Sequence, residues 1–339
     1  MIYKVCSLIF FFSIAFCENY SVLSLSSAIV DHCLLISDED LNDITSEKGG
    51  WAPVDYRTFC ALLDENPDSI MIPGGSGVNV IKGLAHLGEK CAVIGKIGND
   101  KKGEYYQNYM KGLGITSLLK VENLPTGQTI CFITPDKQRT FRTYIGASHC
   151  LNNLKLDPSL FKDIQLFHIE GYQLIDHDLV IRALIQAKKN NVKVSMDLAN
   201  IEIVRRNKDF IWDLIETIVD ILFCNEMEAE ELTGMNASDA CAYLSKFCEI
   251  AVVTMSEKGS WAQRGEEKIH TPAQTVETMD TTGAGDYFTG GFLQAYLRHA
   301  TLKKCAWQGA LLASYVVQVI GADIPEDDWE EILQEVQKG

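Results

Sequence analysis

Residues 280–292 read "DTTGAGDYFTGGF". Two threonines, two closely spaced glycines and an aspartate stand ahead of an apolar stretch, "YFTGGFLQAYL", and behind a β-like one, "AQTVETM". The pattern predicts a strand, a turn and a helix whose first residues lie within 282–285. Free N–H groups and the positive end of the helix dipole make such a start an anion hole, and glycine lets a phosphate approach the backbone. Asp286 falls in the first helical turn, within reach of whatever occupies the hole, where a carboxylate can accept a proton. A plain helix start with small residues for packing would leave the same letters.

Other groups are weaker alone. "NEMEAEEL" sets Asn225 and Glu228 at the spacing of a capping box. An amide and an acid at a strand's end could equally orient Mg²⁺ through water. "IPGGSGVNVIKGLAHLG" carries a Gly-rich turn, with Gly75 in it and Asn79 just beyond. It lacks the lysine and hydroxyl of a P-loop and the spacing of a dinucleotide fingerprint. The turn could admit a polyhydroxy ligand, with Asn79 offering both a donor and an acceptor. Asp31, ending the strand-like run "YSVLSLSSAIVD", could pair with ligand hydroxyls or simply open a turn. "VVTMSEKGSW" reads as a strand and a polar turn through Lys258 and Gly259. The histidines show no H-x-x-x-H metal spacing.

Positioning these groups needs a large core, and 339 residues at 47% hydrophobic content supply it. The net charge of −16 argues against nucleic acid, which demands a surplus of cations. The 11 cysteines form no C-x-x-C pair and sit mostly in apolar runs, a pattern of reduced, buried thiols that favours the cytoplasm. The N-terminus points elsewhere: residues 1–18 have one lysine, an apolar run and small-residue spacing, resembling a secretory signal peptide too short for a comfortable membrane span. The alternative is a spurious extension of a cytosolic chain occupying residues 19–339.

From Leu151 onward, strand-like and helix-like segments alternate, as in "IQLFHIEGY" before "DHDLVIRALIQAKKNN" and "VKVSMDLA" before "DFIWDLIETI". This implies an α/β fold with parallel βαβ units and a sheet covered on both faces. In such sheets ligands sit at the carboxyl ends of the strands, where the motifs above fall. A hairpin, "GQTICFIT" and "RTFRTYIGA" about the turn "PDKQ", and the segment near residues 32–54 break the alternation. They predict a small antiparallel sheet projecting from the body.

Taken in order, these motifs resemble the ribokinase-like (PfkB) family of carbohydrate kinases from about Tyr20 onward. "GGSGVNVIKGLAHLG" is similar to its N-terminal signature and "DTTGAGDYFTGG" to its more specific C-terminal one; "NEMEAEELTG" and "VTMSEKGS" match its N-x-x-E element and nucleotide-site turn. "TPDKQRTFRTYIGAS", "IEGYQL" and "KGGWAPVD" resemble the adenosine-kinase-like and bacterial sugar kinase branch. The resemblance implies a three-layer α/β/α body with a small β lid over about 32–54 and 127–146. It also implies ATP as cosubstrate, Mg²⁺, and a primary hydroxyl of a nucleoside or sugar as acceptor. By the same resemblance Asp286 is the base and Gly283, Ala284 and Gly285 form the anion hole. Asn225 and Glu228 organise Mg²⁺ and phosphate, Lys258 and Gly259 lie by the nucleotide, and Asp31, Gly75 and Asn79 hold the acceptor. Asp280 lies near a monovalent-cation (K⁺) site found in some members. The chain departs from the family where "SSAIVD" replaces the usual Gly-Asn at the end of the first strand, which bears on acceptor choice. Phe132, Phe141 and Tyr144 could form a slot for a nucleobase. A monomer or homodimer acting on a small molecule, with no nucleic-acid or membrane partner, is expected. An adenosine-kinase-like enzyme is the favoured expectation. The alternatives are a ribokinase- or fructokinase-type sugar kinase, or an exported, non-catalytic sugar- or nucleoside-binding protein on the same fold.

Overall fold

The computed structural model describes residues 20–46 and 48–338; the signal-like residues 1–18 lie outside them. The chain begins with β1 (Val22–Leu25), β2 (Ile29–Leu35), α1 (Asp38–Ile44), β3 (Trp51–Pro53), α2 (Tyr56–Asp64), β4 (Ile70–Gly74), α3 (Ser76–His86), β5 (Cys91–Gly98) and α4 (Lys101–Gly112). It continues through β6 (Thr116–Glu122), β7 (Gly127–Ile133), β8 (Arg139–Tyr144), β9 (Leu166–Glu170), α5 (His177–Lys189), β10 (Lys193–Asp197), α6 (Ile201–Thr217), β11 (Ile221–Asn225), α7 (Glu226–Thr233) and α8 (Ala237–Leu244). The last elements are β12 (Ile250–Thr254), β13 (Ser260–Arg264), β14 (Glu267–Thr271), α9 (Ala284–Leu297), α10 (Leu302–Val316) and α11 (Glu326–Lys338).

The strands form two sheets. The larger has the order β14-β13-β12-β11-β10-β9-β1-β5-β6, parallel from β6 to β12 and closed by an antiparallel hairpin edge. Both faces are covered, as the continuous apolar runs of its strands require. On one face α5, α6, α7 and α8 bury Leu184, Ile211, Leu232 and Leu244. On the other α3, α4, α9 and α10 bury Val80, Met110, Phe292 and Leu302. The body is the three-layer α/β/α sandwich expected of a ribokinase-like fold.

The smaller sheet has the order β3-β8-β7-β2-β4. It is mixed rather than antiparallel: β2 pairs with β7, and β3 with β8, in parallel. The strands β2 and β7 both leave the larger sheet's side of the molecule, so they run the same way. This sheet has its own core of Leu41, Phe59, Ile130 and Phe132.

Two further expectations are corrected. The run read as one strand to Asp31 is two, broken at residues 26–28, and Asp31 lies inside β2 of the smaller sheet, opposite Ile72 and Thr129. The segment "AQTVETM" joins no ladder. It leaves the edge strand β14 and crosses to the end of α10, where the amides of Met279 and Asp280 donate to the Val317 carbonyl.

Candidate active site

The motif residues converge where the two sheets meet, at the carboxyl ends of the parallel strands. Helix α9 starts at Gly283, whose φ of 78° is the left-handed conformation glycine adopts without strain, and no side chain caps the start. A Cβ on Gly283 would stand 2.6 Å from Cβ of Ala322, whereas one on Gly285 would meet nothing within 4 Å. Of the two glycines, then, Gly283 is fixed by backbone and packing, and Gly285 alone faces open space, beside Ala284 and one residue before Asp286.

Asp286 is half-buried and held at both oxygens. Ser76 Oγ donates to Oδ1 at 2.7 Å and Asn79 Nδ2 donates to Oδ2 at 2.9 Å. A carboxylate only accepts, so the amide must turn its NH₂ toward it. Asn79 Oδ1 is left buried with no protein partner. Burial pushes the Asp286 carboxyl above its ordinary value; the Asn79 and Ser76 hydrogen bonds and the charges of Arg139 and Lys82 pull it back. Asn79, expected to hold the acceptor, is thus first a partner of the aspartate.

The glycines ahead of α3 serve the chain itself. Cβ atoms at Gly74, Gly75 and Gly77 would overlap the Asp31 carboxylate, the Ser27 carbonyl and the Ser26 hydroxyl. Gly75, at φ 96°, and its neighbours let α3 seat against the β1–β2 junction. Asp31 is nearly fully buried. Burial pushes its carboxyl up to about 7, opposed by Lys82 and assisted by the charges of Asp286 and Asp280.

Asn225 and Glu228 form a complete capping box on α7: the Asn225 side chain accepts from the Glu228 amide and Glu228 accepts from the Asn225 amide, each at 2.9 Å. Glu228 is buried, which pushes its carboxyl up to about 7, with Asp286 adding to the rise. Lys258 is exposed and pairs with Glu226 at 3.3 Å, which sets the β12–β13 turn beside the start of α7. Gly259 has φ 88°, and a Cβ there would overlap the Thr271 carbonyl. Asp280 is fully buried; Oδ1 accepts from the Thr282 amide and hydroxyl at 2.9 and 2.7 Å, and Oδ2 from the Gly321 amide at 2.8 Å. It therefore staples residues 280–282 to the loop after α10.

Sequence reasoning missed several residues of this site. Glu170 ends β9, is fully buried, and accepts from the amides of Ser27 (2.8 Å) and Gly77. Asp197 ends β10, accepts from Thr289 Oγ1 at 3.3 Å, and is raised well above the ordinary carboxylate range by burial and by the charges of Glu228 and Asp286. Their signal was their place at the ends of parallel strands. Arg139 of β8 reaches across from the smaller sheet to donate to the Thr281 carbonyl at 3.1 Å. The expected aromatic slot is not formed: Phe132 is fully buried in the small sheet's core, Tyr144 packs on Tyr56 at 4.8 Å, and Phe141 lies against Cys131 and Ile133. Trp51 of β3 instead meets Tyr172, in the turn after β9, with ring centroids 6.3 Å apart. Tyr172 lies within electrostatic reach of Glu170, Asp286, Glu228 and Arg139.

Residues 59–329 match the pfkB family carbohydrate kinase description. The chain belongs to the pfkB carbohydrate kinase family. Among curated relatives of this pfkB kinase, a nucleoside kinase of Methanocaldococcus jannaschii is 28% identical over 299 residues, covering 85% of this chain and 95% of that one. A solved adenosine kinase from Sinorhizobium meliloti superposes with a TM-score of 0.86 at 28% identity, covering 94% of this chain and 99% of that one. A probable sugar kinase from Rhizobium etli CFN 42 gives 0.87 at 29% identity, covering 94% and 99%. The pfkB kinase is thus a phosphotransferase acting on nucleosides or sugars. No described helix is long and apolar enough to cross a membrane.

A divalent ion fits this site in one way. No group of three His, Cys, Asp or Glu among the described residues could hold a metal outright. Mg²⁺ commonly keeps several waters and takes one or two carboxylates plus substrate phosphates, and the buried Glu228 and Asp197 supply that acidic surrounding.

Proposed function

We propose that this chain is an ATP-dependent, Mg²⁺-using kinase that phosphorylates a primary hydroxyl of a nucleoside, adenosine-like in type, with Asp286 as general base. One observation carries the reading: Asp286 is locked by Ser76 and Asn79 beside a helix start that no side chain caps and that opens at Gly285. The acceptor hydroxyl gives its proton to Asp286 as its oxygen attacks the γ-phosphorus, and the bond to the β,γ-bridging oxygen breaks. The α9 start, through Gly283, Ala284 and Gly285, holds the transferring group on its backbone amides, of which that of Ala284 also donates to the Thr281 carbonyl at 3.3 Å. Asn225 and Glu228 would hold Mg²⁺ through water, and the ion would supply neutralisation of phosphate charge. Lys258 and Gly259 border the nucleotide. Asp31, Gly75 and the free Asn79 Oδ1 border the acceptor. Asp280 would serve a K⁺ site only through lone pairs not spent on Thr282 and Gly321.

The smaller sheet acts as the lid: Arg139 and the Cys131–Thr282 contact at 3.6 Å seat it on the α9 start, where it would exclude water as a competing acceptor. Trp51 and Tyr172, their ring planes tilted 44° to each other, offer aromatic surface at the site's edge, which favours a nucleobase over a bare sugar. A sugar acceptor of ribokinase or fructokinase type is the second reading, favoured by the likeness to the Rhizobium etli protein. Nine described cysteines are unpaired, which supports a reducing compartment, the cytoplasm, for a monomer or homodimer. A turnover screen of nucleosides and free sugars with Mg-ATP tests the acceptor. Adenosine or a close relative is expected to turn over fastest; inert nucleosides beside an active pentose or hexose would leave the sugar reading.

A further inference from the structure

Lys82 has no part in the reading above, yet it is fully buried, third in line after Asn79 on α3. Burying an ammonium costs several kcal/mol unless it is paired, and an apolar chain of similar length would fill the same space without that cost. Its Nζ donates to the Ala322 carbonyl at 3.0 Å and stands 5.3 Å from the centre of the Tyr109 ring. Tyr109 in turn donates to Asp323. Tyr287 of α9 donates to the same Ala322 carbonyl at 3.3 Å.

The Ala322 contact leads directly to the site. Ala322 is the residue against which Gly283 packs, and Gly321 is the residue that Asp280 holds. Ile320 of the same loop packs on Cys33, Cys131 and Ile133 of the smaller sheet. Residues 317–322 are therefore wedged between the start of α9 and the smaller sheet, and Lys82 grips them from α3. The groups facing the ammonium are Asp31 and Cys33 from β2, Asp286 from α9, Asp323 from the loop after α10, Tyr109 from α4 and His86 from its own helix. Those facing Asp286 are Arg139 and Lys82 of positive charge, Asp31, Asp197, Glu170 and Glu228 of the opposite sign, and the phenols of Tyr172 and Tyr287.

We propose that Lys82 is a positioning residue of the phosphotransfer site: its ammonium clamps residues 317–322 against the first turn of α9 and is a fixed positive charge opposite Asp31, Asp286 and Asp323. Burial lowers its proton affinity, and the charges of Asp323, Asp31 and Asp286 oppose that fall, which supports the same arrangement. The inference rests on Asp286 being the base.

Lys82→Met shortens the side chain by only one atom and removes both charge and donor. A cooperative melt is expected, with kcat lowered about 10-fold or more and the KM for ATP within about three-fold. The acidic limb of kcat/KM should move to higher pH, because Asp286 loses a cation that favours its ionised form. A lysine that only fills space would change the melt and leave the pH profile in place, so a folded Lys82→Met with wild-type kcat and profile overturns the proposal. If that variant does not melt cooperatively, Lys82→Ala is assayed with propylammonium and with 1-propanol. Restored turnover with the ammonium alone supports the proposal, and no restoration overturns it. Asp286→Asn run in parallel separates the two claims. Full turnover there removes the base and this inference together; a crippled Asp286→Asn beside an unmoved Lys82→Met profile removes only the role of Lys82.

Discussion

Two helices start at the same end of the larger sheet and are built oppositely. Helix α7 closes its own N-terminus: Asn225 and Glu228 exchange hydrogen bonds in a full capping box. Helix α9 begins on a left-handed glycine with no side-chain cap. A missing cap ordinarily costs about 1 kcal/mol. At α9 that cost leaves backbone donors and open space beside a carboxylate fixed by Ser76 and Asn79. The self-capped helix lends an acid to the site's edge, and the uncapped one faces the chemistry.

The largest break in this comparison should come from Asp286→Asn. The amide keeps size and most hydrogen bonding but cannot accept a proton. Turnover should fall by about 10²–10⁴ while ATP and acceptor still bind within a few-fold, since the backbone donors remain. Steady-state kinetics checks it; loss of ATP affinity equal to the loss of rate would make Asp286 only a helix-shaping residue.

Arg139→Met should act at intermediate strength. It removes the contact from the smaller sheet to the Thr281 carbonyl. A roughly 10-fold fall in kcat/KM is expected from misplacement alone, with ATP hydrolysis rising when acceptor is absent. Coupling of ATP use to product is the readout, and unchanged coupling would detach the smaller sheet from the site.

The α7 side should give the smallest effects. Glu228→Gln can still cap the helix, so the fold should hold while the Mg²⁺ requirement rises. Burial pushes Asp31 and Glu228 up to about 7 from ordinary values of 3.8 and 4.5. The folded protein then holds protons that the unfolded chain has released. Their contribution to stability is full below the ordinary values and is lost as pH rises through about 7. Denaturant titrations across that window should show the decline in the wild type and a shallower one in Glu228→Gln.

Much of this was legible in the sequence, and the limits have physical causes. The βαβ alternation after Leu151 gave the parallel sheet because each strand is an apolar run closed by a helix signal. The α9 and α7 starts were legible because caps and glycines act locally. The break between β1 and β2 was not, because Ser26 and Ser27 are a weak turn signal with no Gly, Pro, Asn or Asp beside them, and apolar residues resume at once at Ala28. The smaller sheet's parallel pairings depend on where distant strands enter, which no local pattern records. Glu170 and Arg139 lie in segments that carry the resemblance, yet nothing local singles them or Asp197 out; they become site residues only when the ends of β9 and β10 in the larger sheet meet β8 of the smaller one. Phe132 was read toward a ligand, but alternation along β7 turns it into the small sheet's core.

The central claim, that the open start of α9 is where the phosphoryl group sits, is tested most directly by Gly285→Ala, measured for melting and for ATP turnover beside Gly283→Ala. At Gly283 a side chain meets Ala322 and a left-handed backbone, so that variant should lose stability. At Gly285 it meets nothing in the protein, and alanine should stabilise the helix by about 0.5–1 kcal/mol. The account expects Gly285→Ala to melt at or above the wild-type temperature while kcat/KM for ATP falls at least about 10-fold. A Gly285→Ala enzyme with wild-type stability and wild-type turnover would contradict it.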